Sequence, residues 1–215
     1  MNINKLCILL HGYGSDDKDL ESLIPVFKDR LREDLADGID FISVAAPNPC
    51  EQGVGLQWFS LGSFWETVPY GKPMEISQTS IDEMEVSKEY LDNIINNELE
   101  KRNLTKSDLI LVGFSQGASL AIDYTLTSSE NDAPYKCISF SGFALPPSIE
   151  NRVNMQTPLL MCHGEIDDVV PLELFEKACE MLDDAGIKFD YITSPTTGHW
   201  ISEDGMDRAV KFIEE

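Results

Sequence analysis

The 215-residue sequence has few basic side chains and no long apolar run. Its 16 lysines and arginines stand against 38 aspartates and glutamates, which gives a formal charge of −22 at pH 7. This charge would repel nucleic-acid phosphates and anionic lipid headgroups. The early apolar run from Leu6 to Leu10 is far shorter than the apolar part of a signal peptide or a membrane span of about 20 residues. We therefore expect a cytoplasmic protein with no nucleic-acid partner and no stable membrane anchor.

Paired cysteines and the common cofactor motifs are also missing. The five cysteines are odd in number and widely spaced, with no C-x-x-C pair, a pattern typical of a reducing compartment rather than of a disulfide framework. The sequence contains no H-E-x-x-H, EF-hand, P-loop or G-x-G-x-x-G motif, so nothing indicates a site for zinc, calcium or a nucleotide. We expect no metal ion and no organic cofactor.

With 42% apolar residues, the chain is hydrophobic enough to form one sizeable core, and its length favours a single domain over residues 1–215. Short apolar runs alternate with amphipathic stretches, which indicates strands that alternate with helices. Several runs are apolar at consecutive positions, as in strands that are covered on both faces. The sequence therefore predicts an α/β domain in which a mostly parallel sheet has helices on both faces. The predicted strands are Lys5 to Leu10, Phe41 to Ala46, Leu109 to Gly113, Cys137 to Phe140, Pro158 to Cys162 and Phe189 to Thr193.

Helical spacing of apolar residues predicts the helices between these strands. The stretch from Leu20 to Leu35 has this spacing, and Pro25 is expected to kink it or divide it. A long helix from Ser80 to Arg102 is predicted to open with a capping box of Ser80 and Glu83. Further helices are predicted over Gln116 to Leu126, Glu173 to Leu182 and Met206 to Ile213.

Residues 47–78 do not fit this alternation. The segment contains no convincing long element, but it is rich in large apolar side chains. One interpretation is a loop or lid beside an active site, because long irregular segments in compact domains are usually functional. The other is a set of short extra strands packed into the core. The large apolar residues are Leu56, Trp58, Phe59, Leu61, Phe64 and Trp65.

The candidate nucleophile is Ser115, in the sequence Gly113-Phe114-Ser115-Gln116-Gly117. This G-x-S-x-G pattern follows a predicted strand and opens a predicted helix, the context of a nucleophile elbow. A serine hydroxyl needs a base to take its proton, and that base needs a carboxylate to orient it. Of the three histidines, only His199 follows both the serine and an acid carried by a separate strand end.

The candidate acids follow the strand that ends at Cys162. Glu165, Asp167 and Asp168 lie within four residues of one another, and spacing alone does not choose between them.

The candidate oxyanion donors are backbone N–H groups at two loop ends. The helix that begins after Ser115 offers the Gln116 N–H together with the positive end of the helix dipole. The first strand runs into His11-Gly12-Tyr13-Gly14, where two glycines allow the backbone to curl so that the Tyr13 N–H faces the same oxygen.

Together these motifs make the chain similar to the phospholipase/carboxylesterase family of α/β-hydrolases, which includes acyl-protein thioesterases and small bacterial carboxylesterases. The resemblance spans nearly the whole chain. The matching segments are Leu10-His11-Gly12-Tyr13-Gly14, Ala46-Pro47, Trp58-Phe59, Gly113-Phe114-Ser115-Gln116-Gly117, Ser141-Gly142-Phe143, His163-Gly164 with Asp167 and Val170-Pro171, and Gly198-His199.

The resemblance implies an α/β-hydrolase fold and a role for each motif. Ser115 would be the nucleophile, Asp167 the acid and His199 the base. Tyr13 and Gln116 would be the oxyanion donors. The substrate-binding residues beside the acyl pocket would be Trp58, Phe59 and Leu61. The chain departs from the family at Ala118, where a second glycine often follows the elbow.

The expected function is hydrolysis of carboxylic esters through an acyl-enzyme, as in a carboxylesterase, lysophospholipase or acyl thioesterase. The substrate would be a small-molecule ester or acyl thioester, and the protein would be a monomer or a homodimer. One alternative is a lactone hydrolase of the dienelactone-hydrolase kind, although that branch normally carries cysteine where this chain has Ser115. The other is a binding protein that keeps the fold without the chemistry.

Overall fold

The central element of the structure, a computed structural model that describes residues 3–62 and 76–215, is a six-stranded parallel sheet. The strands are β1 (Lys5–Leu10), β2 (Ile39–Val44), β5 (Leu109–Phe114), β6 (Lys136–Phe140), β7 (Leu159–Gly164) and β8 (Phe189–Ser194). Their order across the sheet is β2-β1-β5-β6-β7-β8. All six predicted strands are confirmed, with small shifts at their ends. The second strand, for example, begins and ends two residues before its predicted limits.

Helices cover both faces of this sheet, which confirms the predicted α/β class. One face packs against α4 (Gln78–Arg102), α5 (Gln116–Thr127), α6 (Pro146–Glu150) and α7 (Leu172–Asp184). The other packs against α1 (Asp17–Glu21), α2 (Leu23–Arg30), α3 (Glu33–Ala36) and α8 (Glu203–Glu214). Side chains alternate between the faces, so Leu6 and Ile8 of β1 join the first core while Cys7 and Leu9 join the second.

Two details of the predicted helices are wrong. The helical stretch after β1 is interrupted around Ser22 and again after Arg30, whereas Pro25 lies in the first turn of α2, where proline is tolerated. The long helix α4 begins at Gln78, and its N-cap is Ser77, whose side chain accepts the Ser80 N–H at 3.1 Å. Ser80 and Glu83 therefore form no capping box.

Residues 47–62 contain two short strands, as one of the two interpretations of this segment expects. Strand β3 (Asn48–Pro49) pairs in antiparallel fashion with β4 (Leu56–Gln57), and Trp58 directly after it is fully buried. The rest of the predicted loop, including Phe64 and Trp65, lies at residues 63–75, outside the described residues. No helix within the described ranges has the length and apolar character needed to cross a membrane.

The strand order places a crevice at the carboxyl edge of the sheet. From β1 the chain moves to β2 on one side, whereas from β5 it continues to β6, β7 and β8 on the other. Ligands of such sheets bind where the direction of winding changes, outside the carboxyl ends of the strands. The ends of β1 and β5, which carry the His11-Gly12 loop and Ser115, are neighbours at this point.

Candidate active site

Ser115 stands at the sharp turn between β5 and α5. Its backbone has a positive φ of 53° and a ψ of −118°, an uncommon conformation for a residue with a side chain. The turn is possible because both flanking glycines lack a Cβ atom. A Cβ on Gly113 would lie 2.4 Å from the Ala118 Cα, and one on Gly117 would lie 2.3 Å from the Leu10 carbonyl oxygen.

His199 joins this serine to a carboxylate. Its Nε2 lies 2.9 Å from the Ser115 Oγ, and its Nδ1 lies 2.8 Å from the Asp167 Oδ2. The carboxylate can only accept, so Nδ1 donates its proton and Nε2 is left to accept the proton of the Ser115 hydroxyl. The imidazole also packs against the Phe114 ring, with 5.0 Å between the ring centroids. The structure thus brings together three residues that lie at the ends of β5, β7 and β8.

Of the three candidate acids, Asp167 is the one that contacts His199. Its Oδ1 accepts the N–H groups of Val169 and Val170 at 2.9 and 2.8 Å. Burial opposes ionisation of this carboxyl, but the hydrogen bonds from His199, Val170 and Val169 outweigh it and hold the pKa of Asp167 below its usual range. Asp167 is therefore ionised at neutral pH. Glu165 instead accepts the Thr193 hydroxyl at the surface, and Asp168 is exposed.

The two residues expected to supply oxyanion donors, Tyr13 and Gln116, line the same pocket as Ser115. Gln116 is the first residue of α5, so its N–H has no partner within the helix and lies at the positive end of the helix dipole. The loop after β1 runs close by, because a Cβ built on Gly12 would lie 3.3 Å from the Ser115 Cβ. Tyr13, which follows Gly12, lines the same cavity as Ser115 and Gln116.

An apolar pocket opens beside Ser115. Phe59 and Leu61 line it, whereas Trp58, expected in the same role, does not. The indole of Trp58 is fully buried behind the pocket wall. A pocket of this composition suits a hydrocarbon chain. The full lining is Tyr13, Phe59, Ser60, Leu61, Ile76, Ser115, Gln116, Ser119, Phe143, Leu145 and Val170.

The sequence profile of the phospholipase/carboxylesterase family matches residues 2–215. This chain belongs to the phospholipase/carboxylesterase family. It is 32% identical over 178 residues to acyl-protein thioesterase 1 homolog 1 of Dictyostelium discoideum, a match that covers 81% of this chain and 76% of that protein. A probable carboxylesterase of Oryza sativa is 27% identical over 219 residues, which is 96% of this chain and 86% of the relative.

Solved structures agree with this assignment. The crystal structure of esterase PE8 superposes with a TM-score of 0.81 at 31% identity and covers 99% of this chain and 92% of that one. This chain is accordingly a carboxylic ester hydrolase with the α/β-hydrolase fold.

The family often has a second glycine where this chain has Ala118, whose methyl group packs against Gly142. A Cβ on Gly142 would lie 2.4 Å from it.

Sequence reasoning missed the side-chain role of Gln116. The side-chain amide of this residue is held by the segment that follows β4, since its Oε1 accepts the Trp58 N–H at 2.8 Å and its Nε2 donates to the Phe59 carbonyl at 2.6 Å. The G-x-S-x-G pattern leaves the residue after the serine undefined, so the pattern contained no signal for this role.

The buried role of His11 was also missed. The Nδ1 of this fully buried histidine donates to the Gly12 carbonyl at 2.7 Å, and its Nε2 accepts the Ala46 N–H at 3.0 Å. Burial lowers the pKa of His11, so the ring is neutral at pH 7. Its position before the first glycine of the H-G-x-G pattern was the available signal.

Proposed function

We propose that this hydrolase cleaves esters or thioesters of apolar acyl groups through a Ser115 acyl-enzyme. The observation that carries the proposal is the pair of hydrogen bonds that joins Ser115 to His199 and His199 to Asp167, at 2.9 and 2.8 Å. This arrangement makes a serine hydroxyl nucleophilic at neutral pH. The apolar cavity beside it supports an apolar acyl group as the part of the substrate that the protein recognises.

In the first half of the reaction, the His199 Nε2 takes the Ser115 proton while the Oγ attacks the carbonyl carbon. The Tyr13 and Gln116 N–H groups stabilise the negative oxygen that forms. Collapse of this intermediate breaks the bond to the leaving group, which takes the proton from His199, and leaves the acyl group on Ser115.

In the second half, His199 takes a proton from water, and the resulting hydroxide attacks the acyl carbon. The acid leaves as the proton returns to the Ser115 Oγ. Asp167 stays ionised throughout and orients the imidazole. Every step uses side chains and backbone groups of this chain.

The decisive experiment compares hydrolysis of p-nitrophenyl esters of two, four, eight and twelve carbons by the wild type and by Ser115→Ala. Removal of the nucleophile is expected to lower kcat by about 10³ or more. The matched control is Ser107→Ala, an exposed serine at the opposite end of β5. Retention of most activity in Ser115→Ala would overturn this mechanism. A matched series of acyl thioesters then separates the two classes of substrate.

Two measurements address the alternatives. A lactone hydrolase would prefer a lactone to the linear esters, and a binding protein would not be labelled by a fluorophosphonate that reacts with an activated serine. We expect labelling of the wild type and none of Ser115→Ala.

We also propose a cytoplasmic location. This proposal is supported by the five thiols, all within the described part of the chain, which form no disulfide, as is usual for proteins of a reducing compartment. A monomer or homodimer that acts on a small molecule remains our prediction for its state of assembly.

A further inference from the structure

Trp58 makes three hydrogen bonds, to the loop after β1, to the first residue of α5 and to α4. Its indole N–H donates to the His11 carbonyl at 2.9 Å, and its backbone N–H donates to the Gln116 side chain at 2.8 Å. Its own carbonyl accepts the hydroxyl of Ser87, on α4. The side chain is fully buried, so each of these bonds is made away from water, where an unpaired polar group is costly.

The first of these partners, His11, supports the peptide that carries one proposed oxyanion donor. The His11 ring donates to the Gly12 carbonyl at 2.7 Å, and that carbonyl belongs to the same planar peptide as the Tyr13 N–H. Fixing one end of this peptide therefore fixes the direction of the other. The indole of Trp58 completes the support, because it holds the His11 carbonyl and lies 5.5 Å from the His11 ring between centroids.

The second partner carries the other oxyanion donor. Gln116 supplies its backbone N–H to the oxyanion, while its side chain bonds to Trp58 and to the Phe59 carbonyl. Phe59 in turn lines the apolar pocket beside Ser115. Trp58 thus bonds to the residue that carries one donor and to the residue that supports the other, and it directly precedes Phe59 of the pocket wall.

On the basis of the proposed hydrolase function, we propose that Trp58 is a positioning residue that holds both oxyanion donors and the acyl-pocket wall in one hydrogen-bonded unit. The charge on the oxyanion develops only in the transition state. A small displacement of the donors therefore lowers kcat and leaves substrate binding nearly unchanged. Trp58 acts without touching the substrate.

Trp58→Phe tests this role, because it keeps a buried aromatic ring and removes the indole N–H. We expect kcat for p-nitrophenyl butyrate to fall about ten-fold, less than the loss of a whole donor, with KM within about two-fold of the wild type. The inhibition constant of butylboronic acid, whose adduct with Ser115 places an oxygen in the oxyanion site, is expected to rise about ten-fold. Tyr135→Phe is the matched control, because it also removes one polar hydrogen from an aromatic side chain and Tyr135 directly precedes β6, at the opposite edge of the sheet.

Ser87→Ala is the second variant, and it decides the question if Trp58→Phe fails to fold. It releases the Trp58 carbonyl from α4 without altering the indole or either donor. We expect a change in the same direction, about three-fold in kcat, with KM unchanged. A folded Trp58→Phe with wild-type kcat, or a rise in KM at constant kcat, would overturn the positioning role. A wild type inert toward every ester and thioester would instead overturn the hydrolase function itself.

Discussion

Two loops at the carboxyl edge of the sheet begin with the same dipeptide. His11-Gly12 follows β1, and His163-Gly164 closes β7. In both loops the buried imidazole donates to a backbone carbonyl of its own loop, at 2.7 Å for His11 and 2.9 Å from His163 to Val170. Both rings also lie near an aromatic ring, 5.5 Å from Trp58 and 4.7 Å from Phe175 between centroids.

The two loops differ in what they contribute to the proposed active site. The first carries the backbone N–H of Tyr13, one of the two oxyanion donors that we propose, and its glycine lies against Ser115. The second presents the Asp167 side chain, which the loop's own N–H groups hold in place. Its glycine lies against the backbone that leads to His199, because a Cβ on Gly164 would be 2.2 Å from the Thr197 carbonyl oxygen. In each loop, the histidine bonds to a backbone carbonyl, and the glycine leaves room for the segment that carries Ser115 or leads to His199.

The largest expected effect comes from the side chain that the second loop presents. Asp167→Asn keeps the shape but removes the charge that fixes the His199 tautomer, so we expect kcat to fall by about 10³ to 10⁴. Asp168→Asn is the matched control on the exposed neighbour, expected within about two-fold of the wild type. Steady-state kinetics on one ester measures both. Equal losses in the two variants would mean that the loop acts as a unit instead of presenting one carboxylate.

The second comparison tests the two glycines. Gly164→Ala would place a methyl group 2.2 and 2.5 Å from the carbonyl oxygens of Thr197 and Gly198, so backbone must move just before His199. We expect kcat to fall about 100-fold and the melting temperature to drop by several degrees. Gly12→Ala meets the Phe114 ring and the Ser115 Cβ at 3.2 and 3.3 Å, which small adjustments can relieve. We expect about a ten-fold loss of kcat with little change in melting temperature.

Melting curves and kcat together decide this comparison. Wild-type kinetics in Gly164→Ala would show that the approach of this loop to the His199 backbone has no bearing on the reaction.

The fold was largely predictable because its signals are local. Consecutive apolar residues in β1, β5 and β7 identify buried parallel strands, and the order of strands and helices then identifies the class of sheet. The position of Ser115 was equally predictable, since the motif and its context lie within one stretch of sequence. The choice of Asp167 from three neighbouring carboxylates needed either the family pattern or the structure, because their spacing does not say which one turns inward.

Two of the errors concern contacts between segments that are distant in sequence. Nothing near Trp58 indicates that its indole N–H meets the end of β1, so an aromatic residue beside a predicted pocket was assigned to the pocket itself. Glu83 has the spacing of a capping residue, but its carboxylate accepts the Ser60 N–H at 2.6 Å. In both cases, a tertiary hydrogen bond decided between two roles that were locally equivalent.

The smallest expected effect is on stability, and it tests the histidine of the second loop. Burial outweighs the Val170 hydrogen bond and the charge of Asp167, and lowers the pKa of His163 below the ordinary value of 6.5. In the unfolded chain the ring takes up a proton near that ordinary pKa, whereas the folded protein resists it. The free energy of unfolding must therefore decrease as the pH falls below about 6.5 toward the folded-state pKa.

His163→Gln keeps an amide N–H that can donate to the Val170 carbonyl and removes the titrating ring. We expect its melting temperature to fall less than that of the wild type between pH 7 and pH 5 at constant ionic strength. Part of the dependence should remain, because burial lowers the pKa of His11 in the same direction. An unchanged dependence would mean that the unfolding free energy is insensitive to His163. The two loops would then resemble each other in backbone geometry but not in the role of the histidine. The two rings already differ in one bond, because the Nδ1 of His163 has no partner among the described residues, whereas the Nδ1 of His11 bonds to the Gly12 carbonyl.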